Sequence, residues 1–156
     1  METFRGGLQG QDLKFGLVVS RFNETVTEKL LAGAVETLVR AGVAEDDLTV
    51  VRVPGGFEIP LAARRLARAR QVDAIICLGC VIRGETPHFD YIASSLTSGI
   101  NEVMMEEDLP VAYGVLTTDD VDQAMNRCGL KYGNKGQEAA LSALEMVNLS
   151  KELKKL

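Results

Sequence analysis

The sequence predicts a doubly wound α/β domain: a central four-stranded parallel sheet inside a three-layer α/β/α sandwich. Two observations carry that prediction. Short runs rich in Val, Ile and Leu, mostly continuous rather than alternating in polarity, recur at Lys14–Ser20, Leu48–Val53, Ala74–Gly79 and Val111–Leu116. Strands buried on both faces look like this. The runs alternate with segments carrying apolar residues at helical spacing, and that alternation implies right-handed crossovers. At 156 residues the chain is expected to be a single domain, 1–156, burying roughly two thirds of its unfolded surface.

Taken in order, residues 1–12 are too short to be a crossover unit. They are a loose arm or an edge strand added to a neighbouring subunit's sheet. After the first strand, Val26, Leu30, Ala34, Val35 and Leu38 define a helix over about Thr25–Ala41, with a Thr25…Glu28 capping box and Gly42 as its stop. A second helix, about Ile59–Arg70, places Leu61 and Leu66 on one side and Arg64, Arg65 and Arg68 elsewhere. The third runs from about Pro87 to Glu107 and ends before Pro110. The remainder splits at Gly129–Gly136 into helices near Asp119–Arg127 and Gln137–Leu153, with Asn134 as a cap for the last.

Composition narrows the function classes. The net charge of -5, with no basic run, argues against nucleic acid as a partner. No apolar stretch reaches the length needed to span a bilayer, and no secretory signal is visible, so a cytoplasmic protein without a membrane partner is expected. Three cysteines do not suggest a disulfide framework. Cys77 and Cys80 form a Cys-x-x-Cys, but here it lies in a strand pattern, where residues three apart point to opposite faces. Two small buried residues are expected there, not a redox or metal site.

Open α/β sheets bind ligands beyond the carboxyl ends of their strands, so the strand-to-helix loops are the place to look. The first, Ser20-Arg21-Phe22-Asn23, offers an aromatic ring in a polar turn. Phe22 either stacks on a flat heterocycle or packs as a staple on the first helix. The second, Pro54-Gly55-Gly56-Phe57-Glu58-Ile59-Pro60, offers close backbone approach, free N–H groups at Phe57 and Glu58, and a carboxylate, which suit a polyhydroxyl chain. The third contains the only histidine, His88. Gly84 loosens the backbone, Thr86 is placed to cap the coming helix, and Pro87 suits its first position. Anions bind at such helix starts, and a titrating imidazole beside one suits proton transfer. The helix dipole disfavours the imidazolium and nearby Asp90 favours it. The fourth region adds Tyr113, Arg127, Lys135 and Glu138. Lys135 at a helix start is electrostatically unfavourable by some tenths of a kcal/mol unless an anion or Glu138 answers it.

In this order and spacing, Arg21-Phe22-Asn23, the Pro54–Pro60 loop, the Val81–Tyr91 segment and Gly133-Asn134-Lys135-Gly136 resemble the lumazine synthase family, from Gly6 to about Leu149. The resemblance implies a flavodoxin-like domain that makes 6,7-dimethyl-8-ribityllumazine from 5-amino-6-(D-ribitylamino)uracil and 3,4-dihydroxy-2-butanone 4-phosphate, with no bound cofactor or metal. Residue by residue, it implies that Phe22 stacks on the pyrimidine, with Asn23 at its border. Gly56, Phe57 and Glu58 hold the ribityl chain, and Val81 and Ile82 line the ring pocket. Glu85, Thr86 and Arg127 bind phosphate, His88 moves protons, and Lys135 lies near the ligands. It also implies a homo-oligomer, a pentamer or a sixty-subunit shell, in which a neighbour supplies Tyr113, Arg127 and Lys135, and riboflavin synthase as a candidate partner. Three departures from the family pattern stand out. Tyr113 replaces a usual phenylalanine and Cys80 a usual threonine, and Cys128-Gly129-Leu130-Lys131-Tyr132-Gly133 replaces Ala-Gly-Thr-Lys-Ala-Gly. The same pocket would suit a module that binds a lumazine or riboflavin without turnover, and a container or an archaeal-type riboflavin synthase are further alternatives.

Overall fold

A computed structural model describes residues 1–156. Strands β1 (Phe15–Ser20), β2 (Leu48–Val53), β3 (Ala74–Ile82) and β4 (Val111–Thr118) form one parallel sheet in the order β2-β1-β3-β4. Helices α1 (Glu24–Arg40), α2 (Ile59–Ala69), α3 (His88–Glu107), α4 (Val121–Asn126) and α5 (Lys135–Leu153) surround it. Short 3-10 turns at Glu45–Asp47 and Gly56–Glu58 precede β2 and α2. This is the expected flavodoxin-like sandwich. No helix is long and apolar enough to cross a membrane.

Strand alternation sorts the core into two layers. Phe15, Leu17, Val19, Ile76, Leu78 and Cys80 face α1 and α5, joining Leu30, Leu38, Ala140 and Leu144. Val18, Ile75, Cys77 and Val115 face α2 and α3, joining Ile59, Ala63, Leu96 and Ile100. Residues one apart on a strand point to opposite faces, so Cys77 and Cys80 fall in different layers and the Cys-x-x-Cys holds no redox pair. All three cysteines are free and buried. Burial pushes the Cys77 and Cys80 thiols up to about 12, and Cys128 is also raised. Burial thereby disfavours the reactive thiolate at Cys77 and Cys80. Iodoacetamide at about pH 8 is expected to leave the folded chain unlabelled and to label all three cysteines after denaturation. Rapid native labelling of Cys80, read by peptide mass, would contradict this burial.

Several local expectations need correction. Helix α1 starts at Glu24, because Asn23 adopts a left-handed conformation (φ 60°, ψ 47°) as its N-cap. The Thr25…Glu28 box does not form; Glu28 pairs instead with Arg52 on β2, and that guanidinium lowers its carboxyl pKa. Gly42 does end the segment, at φ 102°. On α2 the buried stripe is Ile59, Ala63 and Ala67, while Leu61 is exposed. Alanines let the helix sit close to the sheet, and Leu66 packs half-buried against the same layer, over Gly16 of β1. Strands β3 and β4 run further than expected, to Ile82 and Thr118. A small antiparallel pair, β5 (Cys128–Leu130) with β6 (Gly133–Asn134), fills the joint before α5. Residues 1–12 form no strand within the chain. Asn148 on α5 instead donates hydrogen bonds to the carbonyls of Gly7 and Gln9, each at 3.0 Å.

Candidate active site

The chain passes from β1 outward to β2 and then back across to β3, so the sheet's switch point lies between the carboxyl ends of β1 and β3. The loops there are laced together. Arg21 N donates to Val53 O at 2.8 Å and Phe22 N to Pro54 O at 3.1 Å, tying the first loop to the second. The Asn23 side chain donates to Cys80 O at 2.9 Å, tying it to β3. A left-handed Asn23 is what lets one residue both begin α1 and reach that carbonyl.

Over this junction opens a cavity of about 520 Å³, a size typical of small-molecule sites. Phe22, Gly56, Phe57, Glu58, Val81, Ile82, Thr86 and His88 line it together. Phe22 is 70% and Phe57 61% exposed, so neither ring is a core staple; both leave apolar surface for a flat ligand. A side chain at Gly56 would crowd Leu96 at 3.1 Å and come into ordinary contact with Val81 at 3.6 Å, so glycine keeps this wall of the cavity open. The Glu58 carboxylate accepts from Gly55 N at 3.0 Å, which fixes it at the rim of the turn. Its own N–H is not free, since it donates to Gly55 O at 3.3 Å.

The third loop differs from expectation in one useful way. Helix α3 begins at His88, and Pro87 is its N-cap with no side-chain hydrogen bond. Thr86 therefore does not cap the helix. It lines the cavity at the start of a long helix, where an anion is favoured. Gly84 also lines the cavity, and a side chain there would meet nothing within 4 Å. His88 is exposed at the rim. Asp90 does not engage it: Asp90 pairs with Arg83 at 3.3 Å, so no carboxylate orients the imidazole.

Other expected site residues lie elsewhere. Asn23 sits beneath the cavity as a tie, and Glu85 is exposed and does not line it. Tyr113, Arg127 and Lys135 line a second cavity of about 270 Å³ along the open edge of β4. There the Tyr113 hydroxyl lies 2.9 Å from that of Thr97, and Lys135 pairs with Glu138 at 3.5 Å. Arg127 lies over the Tyr132 ring at 5.5 Å. Within one chain the cations and the His88 loop therefore do not meet. Sequence reasoning missed Phe89 and Ile92, which also line the first cavity. Their position in the first turns of α3, beside His88, was the available signal.

The family profile described as 6,7-dimethyl-8-ribityllumazine synthase matches residues 12–151, which includes both cavities. Two Clostridium kluyveri proteins named 6,7-dimethyl-8-ribityllumazine synthase are 50% identical to the chain over 153 residues, covering 98% of it and 99% of each relative. On this near-complete match, the chain belongs to the 6,7-dimethyl-8-ribityllumazine synthase family.

Proposed function

We propose that the chain condenses 5-amino-6-(D-ribitylamino)uracil with 3,4-dihydroxy-2-butanone 4-phosphate, giving 6,7-dimethyl-8-ribityllumazine, phosphate and water, in a site completed by a neighbouring subunit. This is the penultimate step of riboflavin biosynthesis. The observation that carries it is the meeting of Phe22, Glu58, Thr86 and His88 in one cavity at the switch point. Phe22 stacks on the pyrimidine, with Val81 and Ile82 beside the ring and Asn23 holding the Phe22 loop to β3 from beneath. Gly56, Phe57 and Glu58 take the ribityl chain. Thr86, with Glu85 beside it in the loop, receives the phosphate, and His88 transfers protons.

The reaction asks little more of the protein than positioning and proton movement. The pyrimidine amine attacks the ketone, and loss of water leaves an imine. A carbon-bound proton is removed and phosphate departs with the C–O electron pair. The resulting enol gains a proton and presents a second carbonyl, onto which the ribitylamino nitrogen closes with loss of water. Every charge that develops is a proton in transit or the departing dianion. Holding two substrates in register supplies most of the rate gain in such a scheme.

The dianion needs a cation, and no lysine or arginine is among the residues lining the first cavity. Arg127 and Lys135 occupy a different face of the same subunit. Two different faces that complete one site make a head-to-tail contact, which closes into a ring under cyclic symmetry. A pentamer, free or as part of a sixty-subunit shell, is the assembly we favour, with Tyr113, Arg127 and Lys135 entering the neighbour's site. The arm of residues 1–12 could then leave α5 and add to the exposed edge strand β2 of a neighbour. Three free thiols fit a reducing cytoplasm. Riboflavin synthase, which uses the product, is the protein partner we propose.

Phosphate release on mixing both substrates tests the reaction; binding without release would leave a lumazine-binding module instead. Arg127→Ala is expected to raise KM for the phosphorylated substrate at least tenfold with little change for the pyrimidine, since a charge-assisted contact is lost. Co-assembling Arg127→Ala with His88→Ala subunits at equal amounts should restore about one quarter of the sites if each is shared between neighbours. No recovery in the mixed assembly would place both residues in the same chain's site.

A further inference from the structure

Arg83 follows the last residue of β3 and does not line the cavity, yet it ties together three segments around it. Its Nε donates to Asp119 Oδ1 at 3.1 Å. Its two terminal nitrogens face the two oxygens of Asp90 at 3.4 and 3.3 Å. Its guanidinium lies over the Phe89 ring at 4.4 Å, and its backbone N–H donates to Thr118 O at 2.8 Å. Asp119 begins the loop after β4, and Phe89 and Asp90 belong to the first turn of α3. The loop Gly84–Pro87 is thus tied at both ends to one planar cation.

We propose that Arg83 is a positioning residue that fixes Thr86 and His88 against the cavity by clamping α3's first turn to the end of β4. The proposal rests on the function proposed above for its catalytic consequence, and on geometry alone for the clamp. Gly84 has nothing within 4 Å of where a side chain would be, and no side-chain hydrogen bond caps the start of α3 at Pro87. Local contacts therefore do little to hold the loop. Single exposed ion pairs contribute little, but a network with paired nitrogen–oxygen contacts and a stacked ring restricts orientation. The guanidinium is suited to this because its fork addresses two carboxylates in one plane while its face covers the ring. It also stands where the first cavity's β3 wall meets the β4 end that borders the second, with Val81 paired to Thr117 and Ile82 to Thr118.

The test uses the full chain in its native assembly with Arg83→Gln, Arg83→Lys and Asp119→Asn. The Arg83 side chain is 45% exposed, so these variants are expected to fold. Amide hydrogen exchange over residues 83–91 should quicken about tenfold in Arg83→Gln, less in Asp119→Asn, with partial recovery in Arg83→Lys. Turnover should fall about tenfold in Arg83→Gln, while KM for the pyrimidine stays within about twofold. Adding Asp119→Asn to Arg83→Gln should cause little further loss, because both act through one contact. Unchanged exchange in Arg83→Gln overturns the clamp whatever the activity. Faster exchange with unchanged turnover overturns its role in the reaction. If the parent releases no phosphate from these substrates, the functional reading fails, while the exchange result still decides the clamp.

Discussion

Replacing His88 with alanine is expected to lower turnover by about 10²-fold, with pyrimidine affinity changed by no more than about twofold. General acid–base help spans about 10²–10⁴-fold, and two features place this residue at the low end. His88 is exposed within the chain, and Asp90, the nearest carboxylate in sequence, is held by Arg83 rather than by the imidazole. A base with no partner to fix its tautomer is less well organised than one held by a third group. Positioning of the two substrates would remain, so a residual rate well above the uncatalysed one is expected. His88→Gln separates the roles of the ring, since an amide can hydrogen-bond but cannot carry a proton at neutral pH. It should be as slow as the alanine variant. Steady-state phosphate release gives turnover, and calorimetric titration with the pyrimidine gives affinity. A turnover number within twofold of the parent in either variant would remove His88 from the proton path.

How far the sequence could carry the fold and the site depends on which interactions are local. The four strands were legible because Val, Ile and Leu runs flanked by helical spacing leave few alternatives. Gly79 misled at the end of β3. It is the last residue of the expected strand, but it marks a close approach: a side chain there would meet Ile59 at 3.1 Å and Ser20 at 3.3 Å. The strand continues through Val81 and Ile82, and that continuation puts them in the cavity wall. The capping box at Thr25 failed for a non-local reason, since Asn23 answers Cys80 and Glu28 answers Arg52 across long sequence gaps. The loops that bear chemistry were found because strand ends are sequence signals. Which of them meet was not, because that depends on strand order: β4 lies beyond β3 and its loop turns away to a second cavity.

Substituting Gly136 by alanine is expected to destabilise the folded chain by about 2–4 kcal/mol and to disturb the second cavity with it. Gly136 is the second residue of α5, and an added methyl group would run into the carbonyl oxygen of Leu30 on α1. Because that obstacle is backbone, no rotamer change relieves it, and one helix must move from the other. The two helices share the larger core layer, so displacement opens contacts among Leu30, Ala140 and Leu144. Alanine's better helix propensity returns at most about 1 kcal/mol. The same joint contains Asn134, whose Oδ1 accepts from Gly136 N at 2.8 Å and Gln137 N at 3.2 Å. Its amide nitrogen donates to Lys29 O at 3.0 Å and Cys128 O at 3.3 Å. That amide fills the space over Gly33, where a side chain would lie within 2.7 Å of it. Gly33→Ala should therefore act like Gly136→Ala, by dislodging the cap instead of the helix backbone. Lys135 N donates to Arg127 O at 2.9 Å, so either change should shift both cations, raising KM for the phosphorylated substrate more than for the pyrimidine. Gly84→Ala, which meets nothing, should stay within about 0.5 kcal/mol of the parent in the same urea titration. Equal midpoints for Gly136→Ala, Gly84→Ala and the parent, measured at one protomer concentration, would show that α1 and α5 do not approach through these glycines.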